Sequence, residues 1–160
     1  MPMNVNTSAG SILSLATLPT LTGVESEDLT AYAAASWLEI AEITNIGDFG
    51  REYNVTTFNP LGDRKTYKLK GSYDDGSFTI EMGRNVDSEG QQMLKEALNS
   101  DNAYAVRVVT QGERETFYMP VKVTSAPISI GGVDDVTSST ANLEVDGDVI
   151  SPDATPVVTP

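Results

Sequence analysis

Three short acidic motifs and a scatter of carboxylates are the residues whose types suggest chemistry, because the 160-residue chain contains neither His nor Cys. Without His the chain lacks the side chain that titrates near neutral pH and the commonest metal ligand. Without Cys there is no thiol nucleophile, thiolate metal site or disulfide framework. Asp48-Phe49-Gly50 copies the magnesium tripeptide of protein kinases, yet no Gly-rich loop, strand lysine or catalytic loop accompanies it, so it reads as a turn. Asp146-Gly147-Asp148 and Asp74-Asp75-Gly76 suggest calcium, but neither continues into the ligand spacing and closing Glu of an EF-hand. No Gly-x-x-x-x-Gly-Lys-Ser/Thr phosphate loop is present. A glycosidase needs only two carboxylates, and Glu39 with Glu42 or Glu81 has the right residue types. Among 23 acids some such pair always exists, so the signal has no specificity. The expectation is therefore no catalytic, cofactor-binding or metal-binding residues and no cofactor. The single Trp37 reads as a core or interface aromatic.

Composition agrees with a structural role. A chain of this length forms one domain able to bury roughly 70% of its unfolded surface. Hydrophobic residues make up 39% and charged residues 21%, the balance of a soluble globular protein. The longest uninterrupted apolar run, Ala31 to Ala35, is far too short to cross a bilayer, so no membrane association is expected. No basic segment precedes the weakly apolar N-terminal stretch, which does not read as a secretory signal. The net charge is −13, and its placement is uneven. All ten basic residues fall between Arg51 and Lys122, while residues 1–50 and 123–160 each hold acids and no base. Acidic flanks keep separate copies soluble and disfavour attachment to nucleic acid.

The elements that would position any site are mostly strands. Residues 1–30, rich in Ser, Thr and Leu without clean periodicity, read as an N-terminal arm that needs something to lie against. Residues 31–147 form the β-domain, and residues 148–160, with Pro152, Pro156 and Pro160, an extended tail. Within the domain the alternation predicts strands at Trp37 to Ile43, Glu52 to Thr57, Lys65 to Lys70, around Phe78-Ile80-Met82, Ala103 to Thr110, Glu115 to Thr124 and Val136 to Val145. Asp75-Gly76 reads as a two-residue hairpin turn with positive φ at both centres. One helix is expected over Ser88 to Asn99, from the capping-box spacing of Ser88 and Gln91 and the apolar stripe Met93, Leu94, Ala97 and Leu98. The sum is a mainly β fold, a β-sandwich or half-barrel of about seven strands with one flanking α-helix. Its edges are thinly guarded, by Pro120 and Lys122 on one strand, so edge pairing between subunits is expected.

The order and spacing of these elements resemble the tail tube proteins of long-tailed, siphovirus-like bacteriophages. The run from Trp37 through Asn45-Ile46-Gly47, Tyr53-Asn54-Val55-Thr56-Thr57, the break to Arg64, Lys70-Gly71, Asp75-Gly76-Ser77-Phe78 and Gly90-Gln91-x-x-Leu94 carries the likeness. The Phe117 to Val123 and Val136 to Gly147 segments resemble the family's closing strands. The resemblance implies a virion structural protein, the major tail tube subunit, assembled in the host cytoplasm. In that family hexameric rings complete a 24-stranded barrel, four strands per subunit, and stack into a conduit for genome ejection. Strands roughly 4.8 Å apart and tilted about 40° give such a barrel a width on the order of 48 Å, enough for duplex DNA to pass without specific binding. Implied partners are other copies of the chain, a tape measure protein, and tail terminator and distal tail proteins. Alternatives are the tube of a contractile injection or type VI-like secretion system, and, remotely, a small carbohydrate-active β-module.

By the same resemblance the barrel strands are Glu52 to Thr57, Lys65 to Lys70, Ala103 to Thr110 and Glu115 to Thr124. The loop Phe58, Asn59, Pro60, Leu61, Gly62, Asp63 and Arg64 would reach the next ring. Strand parity offers Glu52, Asn54, Thr56, Lys68, Lys70, Arg107, Glu115 and Lys122 as lumen-facing candidates. Their mixed charge sits badly with the acidic lumen usual in the family, so either cross-strand pairs neutralise the lysines and arginine or the parity differs.

Overall fold

The computed structural model describes residues 7–152. The ends of the expected arm and tail, residues 1–6 and 153–160, lie outside the described residues. The fold is mainly β, with ten strands and two α-helices among the described residues. Eight strands form one sheet: β1 (Ile12–Thr17), β2 (Leu38–Glu39), β3 (Ile43–Ile46), β6 (Ser77–Gly83), β7 (Tyr104–Val109), β8 (Thr116–Ser125), β9 (Ile128–Ser129) and β10 (Ser138–Val145). Its order is β2-β1-β7-β8-β10-β6-β3, with β9 paired to the start of β10. The remaining two strands, β4 (Glu52–Phe58) and β5 (Tyr67–Asp74), pair only with each other.

The sheet is strongly curled. β2 and β3 sit at its opposite ends, yet only Ile40, Ala41 and Glu42 connect them, a stretch that spans roughly 15 Å at full extension. Glu42 takes a left-handed φ of 62° to make the crossing. The single strand expected over Trp37 to Ile43 is therefore two short strands at opposite edges. Ile40 is buried, and its N–H donates to the Leu13 carbonyl at 2.9 Å.

Alternation places Leu13, Leu15, Ile80, Val106, Met119, Val121 and Leu143 in one core. Helix α2 (Glu89–Leu98) covers that core with Leu94 and Ala97 buried and Met93 and Leu98 packed beside them, as the apolar stripe predicts. Ser88 is its N-cap and accepts from the Gln91 N–H at 3.4 Å. The reciprocal half of a capping box is absent. Gln91 instead receives the Asn85 N–H and donates to the carbonyls of Ala41 and Gly83, both at 2.9 Å, tying the helix to the crossing segment.

The opposite face carries a second, smaller cluster of Ala16, Tyr32, Ala105 and Tyr118, covered by helix α1 (Glu25–Ala33). Thus the arm expected over residues 1–30 holds regular structure: β1 lies inside the sheet between β2 and β7, and α1, which runs on to Ala33 in the expected β-domain, packs across it. The sequence hides β1 because both of its faces are covered, so four successive residues, Leu13 to Ala16, are buried without alternation. It hides α1 because the helix has little amphipathic contrast and no side-chain cap at Val24. Its one local signal is the acidic first turn of Glu25, Glu27 and Asp28.

Asp75-Gly76 is a corner between two sheets and not a hairpin turn, because β5 pairs with β4 whereas β6 pairs with β10 and β3. Of the two residues only Gly76 has positive φ. Pro120 does not guard an edge either, since β8 is paired on both sides. Its carbonyl accepts from the Asp146 N–H at 2.8 Å, so its nitrogen faces the same flank, where the β10 ladder has ended and no donor is missed. A side chain on Gly147 would strike the Pro120 ring, which explains glycine there.

Candidate assembly interface

The β4–β5 hairpin is the feature that the fold leaves incomplete. Every residue of both strands is exposed. Two-stranded hairpins with no further support are marginal in water, yet this one presents Val55, Phe58 and Leu69, each more than half exposed, and the tyrosines Tyr53, Tyr67 and Tyr73. Covering Val55, Phe58 and Leu69 on association is worth on the order of 1 kcal/mol each. The outer backbone edges of β4 and β5 have no strand partner among the described residues, so both are templates for further pairing.

Register decides what each face of the hairpin shows. Val55 lies opposite Lys70, Thr57 opposite Lys68 and Tyr53 opposite Tyr73, so these six side chains share one face. Phe58 lies opposite Tyr67, Thr56 opposite Leu69 and Glu52 opposite Asp74, so these share the other with Asn54, whose amide donates to the Ser72 hydroxyl at 3.1 Å. A bulge between Tyr53 and Val55 shifts β5 by one residue. The lumen candidates of the hairpin therefore separate: Glu52, Asn54 and Thr56 point one way, Lys68 and Lys70 the other. They fall together only when each strand is phased by its own apolar residues, whereas pairing across the eight-residue connection between the strands sets the true register.

The remaining candidates are scattered. Arg107 does not face an open surface: its guanidinium lies 5.1 Å from the Trp37 ring and 3.5 Å from the Ser14 hydroxyl, under the second cluster. Lys122 is opposite Glu144 in register and 3.7 Å from Asp146, so acids of its own chain neutralise it. Glu115 is exposed just ahead of β8, and its backbone closes the β7–β8 turn with Thr110. β7 and β8 are each flanked by two strands of their own chain, so neither has a free ladder to offer a neighbour. The Phe58 to Arg64 loop is exposed apart from half-buried Pro60, and Leu61 projects fully into solvent. Asp63 organises this tip, accepting the Lys65 N–H at 3.1 Å and the Tyr67 hydroxyl at 2.9 Å. Those bonds hold its carboxyl below the usual aspartate range, the Tyr67 hydroxyl first among them.

A polar joint anchors the hairpin base. Arg51, just before β4, donates to Asp75 at 3.2 Å and to Asp148 at 3.1 Å while its guanidinium stacks 4.0 Å over the Tyr73 ring. Asp75 is buried and also accepts the Val149 N–H at 3.0 Å. The motifs Asp74-Asp75-Gly76 and Asp146-Gly147-Asp148 carry residue types suggestive of calcium. The structure joins both through Arg51, and among the described residues no group of acidic side chains is arranged to hold a metal ion. The joint borders an open cleft of about 1070 Å³ between the α1 side and the hairpin base, lined by Tyr32, Arg51, Tyr73 and Asp75 among others. Burial, then the nearby Asp28 charge, pushes the Tyr32 phenol well above its ordinary pKa, so it stays neutral. Glu39, Glu42 and Glu81 do not line this cleft; Glu39 is on edge strand β2 and Glu81 on β6.

No protein-family model matches the chain, and no curated protein matches its sequence. Solved structures do match. The tail of an empty gene transfer agent particle, with C6 symmetry, superposes at a TM-score of 0.66 and 10% identity, over 91% of this chain and 98% of that one. The baseplate of the anti-feeding prophage, 6-fold symmetrised, gives 0.64 at 12% identity over 94% and 97%. The SPP1 tail tube gives 0.61 at 14% identity over 88% and 75%. The chain shares its fold with the SPP1 tail tube and with chains of the gene transfer agent tail and the anti-feeding prophage baseplate, as the order of elements suggested.

Proposed function

We propose that this chain is the structural subunit of a phage tail tube. It forms hexameric rings that stack into a conduit for DNA, it belongs to the virion, and it performs no catalysis. The observation that carries this reading is the solitary β4–β5 hairpin, which offers unpaired backbone edges and apolar side chains on both faces of an otherwise finished domain. Pairing that hairpin with the neighbouring subunit closes a barrel that no single copy contains. The two groups of hairpin lumen candidates face opposite ways, so at most one lines the channel. The Phe58 to Arg64 tip is the inter-ring contact, and a tape measure protein and tail terminator and distal tail proteins are its partners. Six-fold symmetry in the gene transfer agent tail and the anti-feeding prophage baseplate supports the ring stoichiometry.

A likeness to the sheath–tube complex of an extracellular contractile injection system, at a TM-score of 0.60 and 13% identity, favours a second reading, the tube of such a device. A sheath gene beside this one supports it, and tail chaperone genes without a sheath support the first. Negative-stain microscopy of the concentrated protein tests both. Rings or hollow tubes are expected, and a strictly monomeric protein at high concentration overturns them.

A further inference from the structure

The second exposed apolar surface lies in the segment 128–136, made of β9 and the turn that leads on to β10. Ile128, Ile130, Val133 and Val136 are all more than half exposed, and Val133 is fully so. Four aliphatic side chains on nine residues is a concentration that solvent does not favour and that commonly marks an interaction site. The loop is built, not loose. Gly131 takes a left-handed φ of 71°, Asp135 accepts the Gly132 N–H at 2.8 Å, and Ser139 donates to the Pro127 carbonyl at 3.0 Å. On the neighbouring strand end the Arg84 N–H donates to the Thr137 carbonyl at 2.9 Å.

The position of this loop relative to the hairpin is set by the β6–β10 ladder. Ser77 pairs with Glu144 at the end where the hairpin is rooted, and Gly83 pairs with Ser138 at the end where the loop emerges. Those ends are roughly 20 Å apart along the strands. The two surfaces are also complementary. The loop carries Asp134 and Asp135 and lies in a stretch, residues 123–160, with no basic residue. The hairpin tip carries Leu61 and Phe58 beside Arg64, Lys65 and Lys68, none of which is ion-paired among the described residues, so three cations outweigh the single acid of the tip, Asp63.

We infer that the 128–136 loop is the docking surface for the β4–β5 hairpin tip of a second copy of this chain. This rests on the tube reading and adds the receptor for its inter-ring loop. The hairpin root and the loop sit at opposite ends of the β6–β10 ladder, and a contact between two different, complementary patches is heterologous, so it propagates head to tail instead of closing a dimer. Aliphatic side chains meet the apolar tip, and the opposed charges orient the approach. A lipid surface suits the loop poorly, because Asp134 and Asp135 are repelled by an anionic leaflet and one neighbouring arginine, Arg84, leaves the patch with no net positive charge.

The absence of native cysteine makes the test clean. Leu61→Cys with Val133→Cys in one chain, treated with a short bismaleimide at assembling concentration, is expected to give a ladder of covalent multimers, and either single variant no such ladder. Ile130→Glu with Val133→Glu, at solvent-exposed positions, is expected to keep the wild-type melting curve and to raise the concentration needed for assembly about tenfold or more. Tubes that form without the ladder, or that form normally with the glutamates, overturn this docking while leaving the tube reading intact. A wild-type chain that forms no tubes, together with a double-cysteine chain that gives no ladder, overturns both. Binding of the wild-type chain to phosphatidylcholine–phosphatidylglycerol vesicles, lost in the glutamate variant and without the ladder, assigns the loop to lipid and overturns the inference.

Discussion

The Nε of Arg51 lies 3.2 Å from Oδ1 of Asp75, and this contact joins the free hairpin to the folded body. Asp75 sits at the corner where the chain leaves β5 for β6, with its side chain 1% exposed, whereas Arg51 is 38% exposed. A buried carboxylate so placed must be partnered, and it uses Arg51 for charge and Val149 for a backbone donor.

Asp75→Ala removes both bonds and strands the Val149 N–H. It is expected to lower stability by roughly 1–3 kcal/mol, read from the midpoint of urea denaturation. Asp148→Ala removes a contact whose carboxylate is 56% exposed and is expected to change stability by about 0.5 kcal/mol or less. Equal effects from the two variants would contradict the assignment of Asp75 as the anchor.

Gly90 opens the first turn of α2 directly against the β2 backbone, where an added Cβ would collide with the Glu39 carbonyl. Alanine is intrinsically the better helix residue by about 1 kcal/mol. Gly90→Ala is nevertheless expected to destabilise, by about 1–3 kcal/mol, because the helix must move off the sheet. A thermal melt decides the sign.

Leu69→Asp places a charge on an exposed face of the hairpin. The isolated domain is expected to keep its stability within about 0.5 kcal/mol, while ring and tube formation is lost in sedimentation and negative stain. Tubes of normal yield from this variant would show that the Phe58, Tyr67 and Leu69 face is not covered in the assembly.

The Asp63 carboxyl, depressed below its unfolded value of 3.8 by the Tyr67 hydroxyl and the Lys65 amide, orders the hairpin tip above that pH. Because the folded value is the lower one, the contribution is present at neutral pH and lost as pH falls below 3.8 through the folded value. In an NMR titration of the monomer the Lys65 amide resonance should shift with an apparent pKa below 3.8, and Asp63→Asn should abolish that step.

Much of this was legible in the chain. Local alternation marks β6, β7, β8 and β10 because each buries one face continuously, and the Ser88 cap with the Leu94 and Ala97 stripe marks α2 for the same reason. The absence of His and Cys turns attention from catalysis to surfaces before any coordinate is known. Tertiary structure decided the rest. β1 has no alternation to read because the sheet is covered on both sides there, and the break at Glu42 exists because a curled sheet needs its two ends joined. The partners of β5 and β6 across Asp75-Gly76 depend on contacts with β4 and β10 that lie far away in sequence, so a turn signal alone reads as a hairpin where the fold makes a corner. Hairpin register, and with it the separation of Lys68 and Lys70 from Glu52, Asn54 and Thr56, is set by pairing between strands, which alternation within either strand does not encode.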